Sequence, residues 1–168
     1  MFYFAHLVDP HRAAAYSEGI MRREFPEAPL VGVGAIIVEA GRVLLVQRGH
    51  EPMKGRWSIP GGLVELGETL DEALCRETRE ETGLEIENLG LVELLDRIYR
   101  EEGRIRYHYV IADYLCRPVG GTARAGDDAA ALHWATPEEC TPGGPLDLDP
   151  VAARVIAKAL HDATARAK

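Results

Sequence analysis

The chain has 168 residues, of which 46% are hydrophobic, and it carries a net charge of −8. Its length and hydrophobic content suit one globular domain that buries roughly 70% of its unfolded surface, and they exclude a disordered chain. The acidic balance argues against a broad nucleic-acid or anionic-membrane footprint and fits a site that takes cations.

Residues 1–29 read as an accessory segment and residues 30–168 as the main domain. The opening MFYFAHLV is apolar, yet it lacks a basic n-region and is short for a signal peptide, so it reads as folded structure. Asp9-Pro10 is a cap followed by a good first helical residue, which predicts a short helix to about Arg23. VGVGAIIVE and RVLLVQR are β-rich runs on either side of Ala40-Gly41, a hairpin signal. A loop from Gly49 to about Arg56 leads into WSIPGGLVE, a short strand broken by Pro60-Gly61-Gly62.

A well-marked helix follows. Thr69 and Glu72 form a capping box worth roughly 0.5–2 kcal/mol. Gly83 is placed to end the helix in a left-handed cap, with Leu84 as the apolar contact after it. Two long strands are expected over 86–99 and 104–116, joined at Glu101-Glu102-Gly103. A Gly- and Asp-rich loop should run from Arg117 to Asp128. AALHW is a short strand, Thr136-Pro137-Glu138-Glu139 opens a short helix, and Asp149-Pro150 starts a terminal helix bearing Val151, Val155, Ile156 and Leu160. This order predicts an α+β fold with a mixed sheet between helices.

The glutamate-bearing helix breaks its own pattern. Leu70, Ala73, Leu74 and Thr78 mark one face. At about 100° per residue, Glu77 and Glu81 project onto the middle of that face, with Glu80 on its flank. Clustered carboxylates on an inward face repel one another and lose hydration. A bound hard cation is the simplest compensation, and Mg²⁺ or Mn²⁺ suits oxygen ligands placed one turn apart. The helix carries no histidine, and its Cys75 projects away from the glutamates. Cys75, Cys116 and Cys140 are widely spaced with no CxxC pair, which fits a reducing cytoplasm rather than a disulfide framework or zinc site. No apolar run approaches the length that spans a membrane.

From Gly62 through Glu68, Arg76-Glu77 and Glu80-Glu81 to Gly83-Leu84, the spacing resembles the Nudix box, G-x5-E-x7-R-E-U-x-E-E-x-G-U, where U is aliphatic. Thr78 stands at the first aliphatic position and is the one departure. The resemblance covers roughly residues 31–140. It implies a Nudix-type αβα sandwich and hydrolysis of a nucleoside diphosphate linked to another group. It implies that Glu77, Glu80, Glu81 and the carbonyl of Gly61 hold the metal, and that Glu68 and Arg76 form a structural salt bridge. The base that activates water is then Glu80 or Glu81, or Asp127 or Asp128 on a later loop.

Arg48 and Lys54 are candidates for phosphate, and Trp57 and Tyr99 for stacking on a base, while His108 reads as structural. The region ahead of the box looks like the ADP-ribose pyrophosphatase and nucleoside-triphosphate-cleaving branches. The proline common in the ADP-ribose group about sixteen residues past the box is replaced here by Tyr99 and Arg100. Hydrolysis of ADP-ribose or a similar nucleotide sugar is the first expectation. Sanitation of an oxidised nucleoside triphosphate is the second, and a non-catalytic nucleotide sensor the third. The implied partner is a small nucleotide, without nucleic acid or membrane, and a homodimer follows by analogy with the ADP-ribose branch.

Overall fold

The computed structural model describes residues 23–49, 54–126 and 129–166. The helix expected over 9–23 therefore lies, apart from Arg23, outside the described residues. Strand β1 (Leu30–Glu39) turns at Ala40 and Gly41, both with positive φ, into β2 (Arg42–Arg48). That pair of angles matches the tight primed turn whose twist suits a hairpin, and Glu39 faces Arg42 across it. The PGG segment splits its strand into β3 (Trp57–Ser58) and β4 (Gly61–Leu63).

Helix α1 (Leu70–Thr82) has both halves of its capping box, with the Glu72 amide donating to Thr69 Oγ1 at 3.2 Å and the Thr69 amide to Glu72 Oε2 at 2.8 Å. Gly83 ends it at φ 69°, its amide bonded to the Arg79 carbonyl. Ala73, Leu74, Thr78 and Thr82 are buried. Leu70, expected on the apolar face, is instead exposed in the first turn.

The long hairpin is longer than its sequence suggests, with β5 over Leu84–Glu101 and β6 over Arg104–Gly121. Arg117 begins no loop, because residues 117–121 keep pairing with Leu84–Glu87. Pro118 is tolerated there beside a bulge, where the ladder is already broken. Strand β7 (Ala129–Ala135) follows. Thr136–Glu139 forms a turn, not a helix: the Glu139 and Cys140 amides reach the Thr136 carbonyl, and a Pro- and Gly-rich stretch prevents extension. Helix α2 (Pro150–Arg166) is capped by Asp149, whose Oδ1 accepts from the Val151 amide at 2.9 Å.

The sheet runs β3-β2-β1-β6-β5, with β4 also paired to β1 and β7 to β2. The β1–β6 pair is parallel and the others antiparallel, so the sheet is mixed. Alternate residues of β1 serve opposite cores. Val33, Ala35 and Ile37 pack with Ala73 and Leu74 of α1, whereas Ile36 packs with Val155, Ile156 and Ala159 of α2. Burial of each large aliphatic side chain contributes about 1.5–3 kcal/mol, and the two layers together fix the αβα order. Among the described residues no helix is long and apolar enough to cross a membrane.

Candidate active site

Two glycines set the site. Gly61 pairs with Gly34 and Gly62 with Val33, which lays the PGG turn along β1. At Gly61 (φ 150°) a Cβ would stand 2.1 Å from the Val33 carbonyl oxygen, so the turn closes only on glycine. At Gly62 a Cβ would fall 2.3–2.4 Å from the Glu77 carboxylate atoms. The missing side chain is the space that this carboxylate fills. The Gly61 amide donates to Glu81 Oε2 at 2.9 Å. Backbone and helix acids thus meet where the sequence puts carboxylates on an inward face.

Arg76 organises the rest. Its Nε and Nη2 donate to the two oxygens of Glu68 at 2.7 and 2.9 Å, and Nη2 reaches the Leu63 carbonyl at 3.1 Å. Its Nη1 donates to Glu77 Oε1 at 2.9 Å and, more weakly, to Glu80 Oε2 at 3.4 Å. The loop before α1 is thereby tied to the helix by the expected Glu68–Arg76 pair. The guanidinium, with the Glu65 amide, holds the Glu68 carboxyl down to about 2.

Glu77 and Glu81 are half-buried and Glu80 is exposed. The donor set is wholly oxygen and suits a hard divalent ion. Among the described residues no group of three acids, histidines or cysteines is closed into a metal-holding cluster, since Arg76 draws on Glu77 and Glu80 while Glu81 turns to the Gly61 amide. The Arg76 guanidinium is shared among three carboxylates, those of Glu68, Glu77 and Glu80.

Asp127 and Asp128 lie outside the described residues. The chain leading to them packs on the box helix: the Arg124 amide donates to the Thr82 carbonyl at 2.9 Å and the Gly126 amide to the Glu81 carbonyl at 3.0 Å.

The opposite face of the sheet holds a group that the sequence reading missed. Asp113 on β6 is 4% exposed. A Cβ at Gly34 would lie 2.2 Å from its Oδ1, so a third glycine makes its space. Burial, reinforced by Glu93 and opposed by Arg97, pushes the Asp113 carboxyl up to about 6. The signal was a lone acid at an inward position of an apolar strand.

Beyond Asp113, Arg97 grips Asp149 with two bonds of 2.9 Å, and its Nε donates to the Tyr99 hydroxyl at 3.1 Å. Tyr99 meets Tyr107 edge to face at 6.2 Å, and Tyr107 stacks on Tyr109 at 6.1 Å. Arg48 and Tyr99 both act electrostatically on the Tyr109 hydroxyl, which burial raises above its usual value. Two substrate candidates thus lie within electrostatic reach of Tyr109. Tyr99 is six strand positions past Glu93, the partner of Asp113, hence about 20 Å along β5 from the level of Gly61. Lys54 is exposed in the turn where the Gly55 amide bonds the Arg48 carbonyl. Trp57 packs against the α2-side core and tilts on His133 at 5.8 Å. His108 faces Ile98 across the hairpin.

The NUDIX domain model matches residues 28–159, which includes the glycine turn, the capped helix and both long strands. The chain belongs to the NUDIX family. An ADP-ribose pyrophosphatase of Methanocaldococcus jannaschii is 40% identical over 102 residues, covering 60% of this chain and 58% of that protein. A putative 8-oxo-dGTP diphosphatase 2 of Mycobacterium tuberculosis is 38% identical over 108 residues, covering 64% and 73%. The crystal structure of a MutT NUDIX hydrolase from Burkholderia pseudomallei superposes with a TM-score of 0.68 at 34% identity, over 79% of this chain and 98% of that one. The chain thus spans under two thirds of the length of the archaeal relative. NUDIX hydrolases generally use divalent ions, and the oxygen donors of this box accord with that habit.

Proposed function

We propose that this NUDIX protein hydrolyses the pyrophosphate bond of a nucleoside diphosphate joined to another group, with ADP-ribose or a similar nucleotide sugar as the first substrate class. The observation that carries the reading is the seating of Glu77 and Glu81 against the Gly61-Gly62 backbone, with Arg76 and Glu68 bracing the turn. Glu77, Glu80, Glu81 and the Gly61 carbonyl would hold Mg²⁺ or Mn²⁺. Such an ion, when bound, polarises phosphate oxygens and offsets charge on the leaving phosphate.

The chain's own groups do the rest. A carboxylate of Glu80 or Glu81, or of Asp127 or Asp128 farther along the chain, orients water and takes its proton. The water oxygen bonds to phosphorus, the bridging P–O bond breaks, and the departing phosphate keeps that bond's electrons. Arg48 and Lys54 bind phosphate, and Tyr99 supports the base or the sugar. The archaeal relative's name supports ADP-ribose. The mycobacterial relative's name supports an oxidised nucleoside triphosphate, the second reading. The three free cysteines suit a reducing cytoplasm.

A substrate panel with Mg²⁺ or Mn²⁺ and product identification tests the proposal. ADP-ribose should give AMP and ribose 5-phosphate. Pyrophosphate release from oxidised nucleoside triphosphates, without ribose 5-phosphate from ADP-ribose, selects the second reading. Tight nucleotide binding without turnover of any diphosphate sinks both in favour of a sensor.

A further inference from the structure

Strand β5 is the last strand of its sheet, bonded on one side to β6. Its outer edge divides into two parts. Near its start, Arg166 Nη1 donates to the Leu89 carbonyl at 2.7 Å and Lys158 Nζ to the Val92 carbonyl at 2.6 Å, so cations from α2 close that part. From Glu93 to Glu101 no backbone partner lies on the outer side among the described residues. This stretch is also regular. One bulge inserts Val92 just before it, and the next inserts its extra residue, Arg106, on β6.

The open stretch is apolar and charged by turns: Leu94 is 63% exposed and Ile98 45%, with Asp96 and Arg100 exposed on the same face. A long regular edge of this kind invites strand pairing unless something covers it. We propose that a second copy of this chain pairs antiparallel along Glu93–Glu101, with the two-fold axis beside Ile98.

Charge fixes the register. Residues opposed across an antiparallel pair share a face. An axis at Ile98 sets Ile98 against Ile98 and places Asp96 of each copy against Arg100 of the other. Arg97 then faces Tyr99. Shifting the axis to Arg97 opposes two arginines, shifting it to Asp96 opposes two aspartates, and shifting it to Tyr99 sets Asp96 against Glu102. The Tyr99 axis also sets Arg97 against Glu101, but those two are already bonded to Asp149 and Arg106 and the same axis opposes two acids; the Ile98 axis joins apolar to apolar and gives two opposite-charge pairs with no like charges opposed, as an isologous interface requires. The inference is independent of the hydrolytic reading.

Sedimentation velocity on the full chain over a concentration series tests it. A monomer–dimer equilibrium is expected. Asp96→Arg turns both attractive pairs repulsive and should weaken the dimer about tenfold, and Arg100→Asp should do the same. The double exchange Asp96→Arg with Arg100→Asp recreates both pairs and should restore the dimer to within about threefold. Ile98→Lys, which opposes two lysines, should dissociate it, with circular dichroism confirming the fold of every variant. A monomer at all concentrations overturns the proposal. So does a dimer indifferent to the single reversals, or one that the double exchange leaves broken.

Discussion

The backbone amide of Gly61 and the carboxylate of Glu81 are 2.9 Å apart and join the strand turn to the last turn of α1. This bond places the acid beside the backbone carbonyl proposed to share the metal. Glu81→Gln keeps the shape and removes the charge. Turnover should fall on the order of 10²–10³-fold while the far-ultraviolet dichroism and Tm stay near wild type. Near-wild-type kcat would show that Glu81 does not bind the metal or act on water.

Two adjacent glycines should fail in different ways. Gly62→Ala sends its methyl into the Glu77 carboxylate, the movable end of a side chain. Stability should change by about 1 kcal/mol or less, with activity down at least tenfold. Gly61→Ala instead drives a methyl into the Val33 carbonyl at a positive φ. It should cost about 2–4 kcal/mol in a denaturant melt. Equal losses from the two would contradict the division of labour.

Asp113 makes a pH signature. Its folded carboxyl titrates at about 6, above the ordinary value of 3.8, so the folded state binds the extra proton. Stability from this residue is full below about pH 4 and declines as pH rises through 6. Asp113→Asn removes the charge that has to be buried. It should raise stability at pH 7.5 by on the order of 2 kcal/mol and have no such effect at pH 4. Melts of both proteins at the two values check this; an equal difference at both would rule the assignment out.

Arg76→Lys keeps a charge and loses the fork that spans Glu68, Glu77 and the Leu63 carbonyl. Tm should fall, and kcat should drop about tenfold as the turn loosens. Glu68 is held at about 2, so the clamp is intact above the ordinary carboxylate value of 4.5 and fails as pH drops toward 2. The gap in Tm between wild type and Arg76→Lys should therefore shrink over that range. A constant gap would mean that the arginine stabilises by packing alone.

Much of the local geometry of the candidate site was legible because its information is local. Thr69, Glu72 and Gly83 set both ends of α1 through bonds within a few residues, and the period of the helix then fixes where Glu77, Glu80 and Glu81 point. The ends of the long strands were not legible. Residues 117–121 look like a loop by composition, and they stay in the sheet because Leu84–Glu87 is there to pair with them. Leu70 reads as core by its spacing and is 38% exposed in the first turn of α1.

By itself, then, the sequence determined the capped helix, the register of its acids, the glycine turn before it and the mixed sheet between helices. These depend on backbone conformations and side-chain periods that short segments carry within themselves. Only the tertiary structure decided that Gly62 makes room for Glu77, that Arg76 draws in Glu77 and Glu80 along with Glu68, and that Gly34 shelters an aspartate titrating near 6. Those relations join residues distant in the chain. They depend on a missing Cβ or a lost hydration shell, which no local pattern records.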